Sequence, residues 1–146
     1  MRKSHLFGSG LFFILVVATV VAFAQTPSET ARTENSTQVF WDKFKTAVIK
    51  VDKDTVAGLS RFPISMPYGV SSVKNKPQLV RRFREVFNGE TNAAKCFTTA
   101  KPEVDKARPK EFSIACKNAA GDEVIIYQFQ QTRTGWKFAG LDNINE

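Results

Sequence analysis

The sequence is almost without histidine. Its only one, His5, sits four residues from the initiating methionine. Residues 1–24 read as an export signal, so the mature chain is expected to carry no imidazole. That excludes a Ser-His-Asp or Cys-His nucleophile, a His-ligated zinc, a His-held haem and a His general base. Cysteine is nearly as scarce, with Cys96 and Cys116 alone. Nineteen residues separate them, which fits no Cys-x-x-Cys redox motif, and two thiolates without His make a poor metal site. No cofactor is implied. No second apolar run approaches the ~20 residues that a membrane span needs. Nor does any stretch match a nucleic-acid-binding motif, and the export signal points away from nucleic acid as a partner.

The signal has three parts. Arg2, Lys3 and His5 form a positive start, Leu11 to Val21 is apolar, and Ala22-Phe23-Ala24 is an A-x-A cleavage site before polar Gln25-Thr26-Pro27. An uncleaved anchor is the alternative. Gly8, Ser9 and Gly10 shorten the apolar run and disfavour it, so no stable membrane insertion is expected after cleavage. Removing 24 of 146 residues leaves 122, one domain's worth, and lowers the formal charge of +7 by two, to +5. The destination is periplasmic or extracellular. In that oxidising setting an even pair of cysteines reads as one disulfide. It would close a loop of about 20 residues and contribute ~3 kcal/mol in the chain-entropy model. Two reduced, buried cysteines are the alternative that spacing leaves open.

Residues 25–36, QTPSETARTENS, contain no large apolar residue and read as a polar flexible tether. Asn35-Ser36-Thr37 matches a glycosylation acceptor. A single domain is expected from 37 to 146. Residues 37–52 place Phe40, Trp41, Phe44, Ala47, Val48 and Val51 on one helical face, with Ile49 off the pattern. A short second helix is expected over Asp52 to Leu59 with Asp54 as its cap. Arg61 to Gly69 holds two prolines and reads as an edge strand or ribbon, with Val70 to Val73 returning beside it. Pro77 opens a third helix. Leu79, Val80, Phe83, Val86 and Phe87 share its inner face, while Arg81, Arg82 and Arg84 share the outer face before the Asn88-Gly89 stop.

The period then changes. Lys95 to Thr99 is a candidate strand, and Pro102 to Pro109 a charged loop. Glu111 to Lys117 alternates, Glu123 to Thr132 is a strand whose Val124 to Phe129 stretch is apolar on both faces and so central, and Trp136 to Ile144 closes a meander. Helices first and antiparallel strands afterwards give an α+β class, with the helices laid on a curved antiparallel sheet.

The order of elements and the spacing of Phe40-Trp41, Phe44, Ala47-Val48, Val56-Ala57, Leu59, Phe62-Pro63, Phe83, Phe87 and Gly135-Trp136-Lys137-Phe138 resemble the small exported members of the cystatin-like, nuclear-transport-factor-2-like superfamily. The resemblance covers residues 37–144. It implies a cone whose sheet and helices enclose a pocket, in a fold that hosts isomerases, dehydratases, immunity proteins and binding modules. On that expectation Phe112, Tyr127, Phe129 and Trp136 are candidate pocket-lining residues. Arg81, Arg82 and Arg84 are a candidate anion-binding surface, with a solvated helix face as the plainer reading. Ketosteroid-isomerase-like relatives would need an Asp base beside a Tyr. Here Tyr68, Tyr127 and Asp142 are available, none at a position that matches the family's. The expectation is therefore an exported, non-catalytic module that binds a small apolar molecule or a protein partner, alone or as a dimer. A His-free enzyme using carboxylate and tyrosine is the alternative.

Overall fold

The computed structural model describes residues 29–67 and 72–144. The expected export signal, Tyr68, Val70 and Ser71 lie outside the described residues, while Val73 pairs antiparallel with Ile64, as the expected return beside the ribbon requires. The first element, α1 (Glu29–Ile49), is longer than its apolar face. Residues 29–36 form its first two turns and are not a flexible tether. Their lack of large apolar groups removes packing, but Glu, Ala and Arg are good helix formers and no Pro or Gly interrupts the run. Side chains hold these turns as well: the Ser36 and Thr37 hydroxyls donate to the carbonyl of Thr33 at 2.8 and 2.9 Å. The sequon Asn35-Ser36-Thr37 is thus helical, with the Thr37 side chain buried.

The helix ends where Val51 adopts a left-handed backbone, φ 57°. The Val51 N–H donates to Val48 O and that of Asp52 to Ala47 O, the two bonds of a Schellman stop. Val51 therefore leaves the helical face on which its spacing had put it and stands exposed. Asp52, not Asp54, caps α2 (Lys53–Gly58), accepting from the Thr55 N–H at 3.1 Å and the Thr55 hydroxyl at 2.7 Å. Asp54 lies in the first turn and pairs with Lys76 at 3.4 Å.

The third helix is two. Asn75 caps α3 (Lys76–Arg81), the chain turns at Arg82, and α4 (Phe83–Asn88) follows. Leu79, Phe83, Val86 and Phe87 are all buried, as the spacing predicts. The segment expected as a strand around Lys95 is instead a helix, α5 (Ala93–Phe97). Asn92 caps it by accepting from the Lys95 N–H at 2.9 Å. Ala93 and Phe97, one turn apart, are its buried side.

Five strands form one sheet in the order β1-β5-β4-β3-β2: β1 (Ser60–Ser65), β2 (Glu103–Val104), β3 (Glu111–Lys117), β4 (Val124–Thr132) and β5 (Gly135–Asn143). The meander β3-β4-β5 is antiparallel and β4 is central, as expected. The sheet as a whole is mixed, because β1 joins β5 in parallel. A chain that runs from α2 directly into the sheet edge meets β5 from the same end, which periodicity along one strand does not reveal. Gly140 permits this join: a Cβ there would stand 2.9 Å from the Ser65 carbonyl oxygen. The helices cover the sheet face that carries Phe112, Ile114, Cys116, Ile125, Tyr127 and Phe129, all buried. The opposite face carries Ser113, Ile126, Gln128 and Gln130, partly exposed. The class is α+β: helices packed on a five-stranded mixed sheet.

Candidate functional site

The four rings expected to line a pocket are packed against one another and against the helices. Phe112 stacks on Phe129 at 4.4 Å and meets the edge of Trp136 at 5.0 Å. Phe129 in turn meets Phe44 of α1 edge-on at 5.0 Å. Tyr127 lies between Phe87 at 6.0 Å and Phe97 at 5.0 Å. Its hydroxyl shares a 2.8 Å hydrogen bond with the buried Thr91 hydroxyl. The Trp136 indole N–H donates to Ser36 Oγ at 3.2 Å. None of the four is more than 4% exposed, so they act as core filling and not as an open wall. Edge-to-face and offset pairs of this kind add to what area burial already provides.

Asp142 does not join Tyr127. It pairs with Ile126 across the sheet, whereas Tyr127 pairs with Leu141. Successive side chains alternate faces, so the carboxylate and the phenol project to opposite sides. Tyr68 lies outside the described residues. Among the described residues no group of three or more His, Cys, Asp or Glu is gathered as a metal site would require.

Nor do the three arginines form one anion-binding face. Arg82 at the turn is held by both oxygens of Glu85, at 2.7 and 2.8 Å, while Arg81 and Arg84 remain exposed on separate helices. That pairing depresses the Glu85 pKa, chiefly through the hydrogen bond from Arg82, and raises that of Arg82. The two cysteines are bonded as a disulfide with their Cα atoms 5.9 Å apart, tying α5 to β3.

What the sequence did not single out is the surface on either side of α5. A cleft of about 720 Å³ lies between α1 and the segment that follows α5, with Trp41, Lys45, Lys101, Pro102 and Val104 among its walls. A second, of about 620 Å³, lies between α5 and the β3–β4 hairpin, beside Lys95, Cys96, Lys117 and Asn118. Thr98 and Thr99 border both. Lys45 is neutralised by Asp42 at 2.6 Å, and this contact, together with Gln38, holds the Asp42 pKa below the usual value. The ammonium groups of Lys95, Lys101 and Lys117 are exposed and have no ionic partner among the described residues. One local signal was present in the sequence: Lys95 and Lys117 each adjoin a disulfide cysteine, so the bond that joins α5 to β3 also brings the two lysines to one place.

Among the described residues no helix is long and apolar enough to cross a membrane. No family model matches the chain, and no curated protein does. Solved structures give three likenesses. The first is to an NTF2-like protein with a cystatin-like fold from Novosphingobium aromaticivorans, with 10% identity over 77% of this chain and 80% of that one, TM-score 0.46. The second is to a protein provisionally named an aromatic ring hydroxylase from the same organism, with 14% identity over 82% and 90%, TM-score 0.47. The third is to a domain of unknown function with a cystatin-like fold from Nostoc punctiforme, with 13% identity over 83% and 80%, TM-score 0.48. The neighbours of this α+β chain are thus cystatin-like and NTF2-like proteins, and at such identities nothing of their chemistry is carried over to it.

Proposed function

We propose that this chain is an exported binding module without catalytic turnover, and that it engages a partner at its surface. The observation that carries the reading is the closure of the aromatic interior. Phe112, Tyr127, Phe129 and Trp136 turn their faces to Phe44, Phe87, Phe97 and each other, so rings fill the space between sheet and helices, and the apolar walls described lie at the surface, as in the cleft of about 520 Å³ beside Phe40, Leu59 and Trp136. The acid-base inventory agrees. The carboxylates with displaced pKa values, Asp42, Asp52, Glu85 and Asp105, are all shifted downward by hydrogen bonds from neighbours. Such groups stay ionised at neutral pH and are weak bases, the reverse of what general-base catalysis requires. The clefts of about 720 and 620 Å³ flank α5, where the walls mix polar, cationic and apolar groups.

Native mass spectrometry of the mature chain, purified without added ligand, tests this reading. The mass of the polypeptide alone is expected. A stoichiometric apolar adduct would place the ligand inside the fold instead. Turnover in a substrate screen that vanishes in Tyr127→Phe or Asp142→Asn, with the fold intact, would replace the module by an enzyme.

A further inference from the structure

The cleft of about 520 Å³ lies where the first half of α1 meets the start of β5. Val39, Phe40, Leu59 and Trp136 are its large apolar members, and Val39 stands 64% exposed. Every charged residue that lines it is a cation: Arg32, Lys43 and Lys137. Arg32 and Lys43 are exposed and enter no ion pair among the described residues. The Lys137 ammonium donates to Gly58 O at 2.7 Å, beside Leu59, and keeps its charge there. At 100° per residue Arg32, Val39 and Lys43 fall within about 40° of one another, so one stripe of α1 carries a cation, an apolar side chain and a second cation. The acids of α1 do not cancel this pattern. Glu34 is about 200° round the helix from Arg32 and lines the cleft across it. Asp42 is held by Lys45 at 2.6 Å. Glu29, at the first position of α1, is a single acid one turn before Arg32.

We propose that this face binds the surface of an anionic lipid bilayer, with Val39 and the edge of Phe40 at the acyl boundary and Arg32, Lys43 and Lys137 on headgroup phosphates. The inference rests on the surface-binding reading above and names what that surface meets. Apolar groups flanked by long cationic side chains are the pattern of an interfacial helix. The apolar groups enter the headgroup region, while Arg and Lys stems hold their charges at phosphate level. The same chemistry selects against other occupants. A helix bonds its N–H and C=O groups internally, so this face offers an extended peptide no backbone partners. A soluble polyanion makes no use of exposed Val39. A second copy of this net-positive chain would bring cations to cations. The order of the chain agrees: α1 begins a few residues beyond the expected export signal, so its Arg32 end is the part of the domain kept beside the bilayer until cleavage.

The test sediments the mature chain with sucrose-loaded vesicles of phosphatidylglycerol and phosphatidylcholine in equal parts, at low ionic strength. Co-sedimentation that weakens with salt is expected, and none is expected with phosphatidylcholine alone. Arg32→Gln, Lys43→Gln and Lys137→Gln should each weaken partitioning about fivefold, the equivalent of about 1 kcal/mol per cation near such a surface. Val39→Ser should weaken it about three- to tenfold at unchanged charge, as loss of an inserted apolar side chain implies. Arg81→Gln and Arg84→Gln, on helices that do not line the cleft, should leave it unchanged. Near-ultraviolet circular dichroism confirms the fold of each variant. Vesicle binding indifferent to the three cations overturns the proposal. So does binding indifferent to Val39→Ser, which with equal affinity for heparin would make the partner any polyanion. Equal affinity for a soluble amphipathic peptide of Glu and Leu would make the partner a protein and overturns it as well. Absence of vesicle binding overturns it too, while the native mass spectrum judges the surface-binding reading separately.

Discussion

Tyr127 and Asp142, separated by one step of register on adjacent strands, stand on opposite faces of the sheet. Tyr127 pairs with Leu141 and Asp142 with Ile126, so no substrate of ordinary size reaches both the phenol and the carboxylate. The phenol has a structural task instead, bonding the Thr91 hydroxyl inside the core. Tyr127→Phe is expected to cost about 1–2 kcal/mol, because Thr91 is left buried without that partner. The Tyr127→Phe, Thr91→Val double variant should recover part of the loss. Asp142→Asn should stay within about 0.5 kcal/mol. Urea titrations of the parent, Tyr127→Phe, Thr91→Val, their double variant and Asp142→Asn check this. A double variant that loses the full sum of the singles would mean that the two hydroxyls do not act as a pair.

The turn at Arg82 makes a graded prediction along one short segment. Phe83 is 3% exposed and in contact with Phe87 at 4.7 Å, so Phe83→Ala should cost about 3–5 kcal/mol. Arg81 is exposed and unpaired in any ion pair described, and Arg81→Ala should stay within about 0.5 kcal/mol. Arg82→Ala should fall between them, near 1 kcal/mol, since its two-pronged bond to Glu85 is well formed but partly in water. Equal midpoints for the two arginine variants would show that the Glu85 contact contributes nothing.

Much of the architecture was legible because long elements repeat their signal. Phe40, Trp41 and Phe44 mark α1, and Ile125, Tyr127 and Phe129 alternate through β4. The elements that were misread are short or non-local. The five residues of α5 offer one helical repeat, Ala93 to Phe97, which a strand reading absorbs; the Asn92 cap was the one signal against it. The break between α3 and α4 carries neither Pro nor Gly, so the inner face reads straight through Arg82. The parallel join of β1 to β5 depends on Gly140 meeting Ser65, 75 positions away, and β2 is too short for any period. At the candidate site the same rule held. The rings stand at strand positions that face the helices, and whether such positions make a pocket or a core depends on partners from α1, α4 and α5. The clefts beside α5 exist only because that segment is a helix, and a strand there would leave neither.

Stability should fall in acid, and the sign follows from the pKa shifts. The carboxyls of Asp42 and Glu85 lie below their ordinary values of 3.8 and 4.5, held there chiefly by hydrogen bonds from Lys45 and Arg82. A group whose pKa is depressed on folding contributes stability that is complete above its unfolded value and is lost as pH drops through the folded one. Urea midpoints should therefore hold steady down to about pH 5 and decline below about pH 4. Glu85→Gln should start lower at neutral pH and decline less steeply. A midpoint that rises on acidification would show that these ion pairs do not act as described.

Val51 offers the sharpest test of the backbone. A left-handed φ of 57° is rare outside Gly and Asn, and a β-branched side chain there crowds its own backbone. The Schellman stop explains why the conformation is kept: the N–H groups of Val51 and Asp52 satisfy the carbonyls of Val48 and Ala47, which a helix end would otherwise leave open. The side chain brings little in return, being 54% exposed. Glycine removes the crowding and keeps both hydrogen bonds, at the cost of greater freedom in the unfolded chain. The strain relieved is about 1–2 kcal/mol per residue for an ordinary side chain, and the entropy lost is roughly half of that. Val51→Gly should therefore stabilise the protein by about 0.5–1 kcal/mol, and Val51→Asn by a similar amount. Thermal melts of both variants beside the parent chain measure the effect, with Tm expected to rise by a few degrees. Loss of stability in both variants would mean that the Val51 side chain packs against something that offsets its strained backbone, and would make that exposed corner between α1 and α2 a contact surface in its own right.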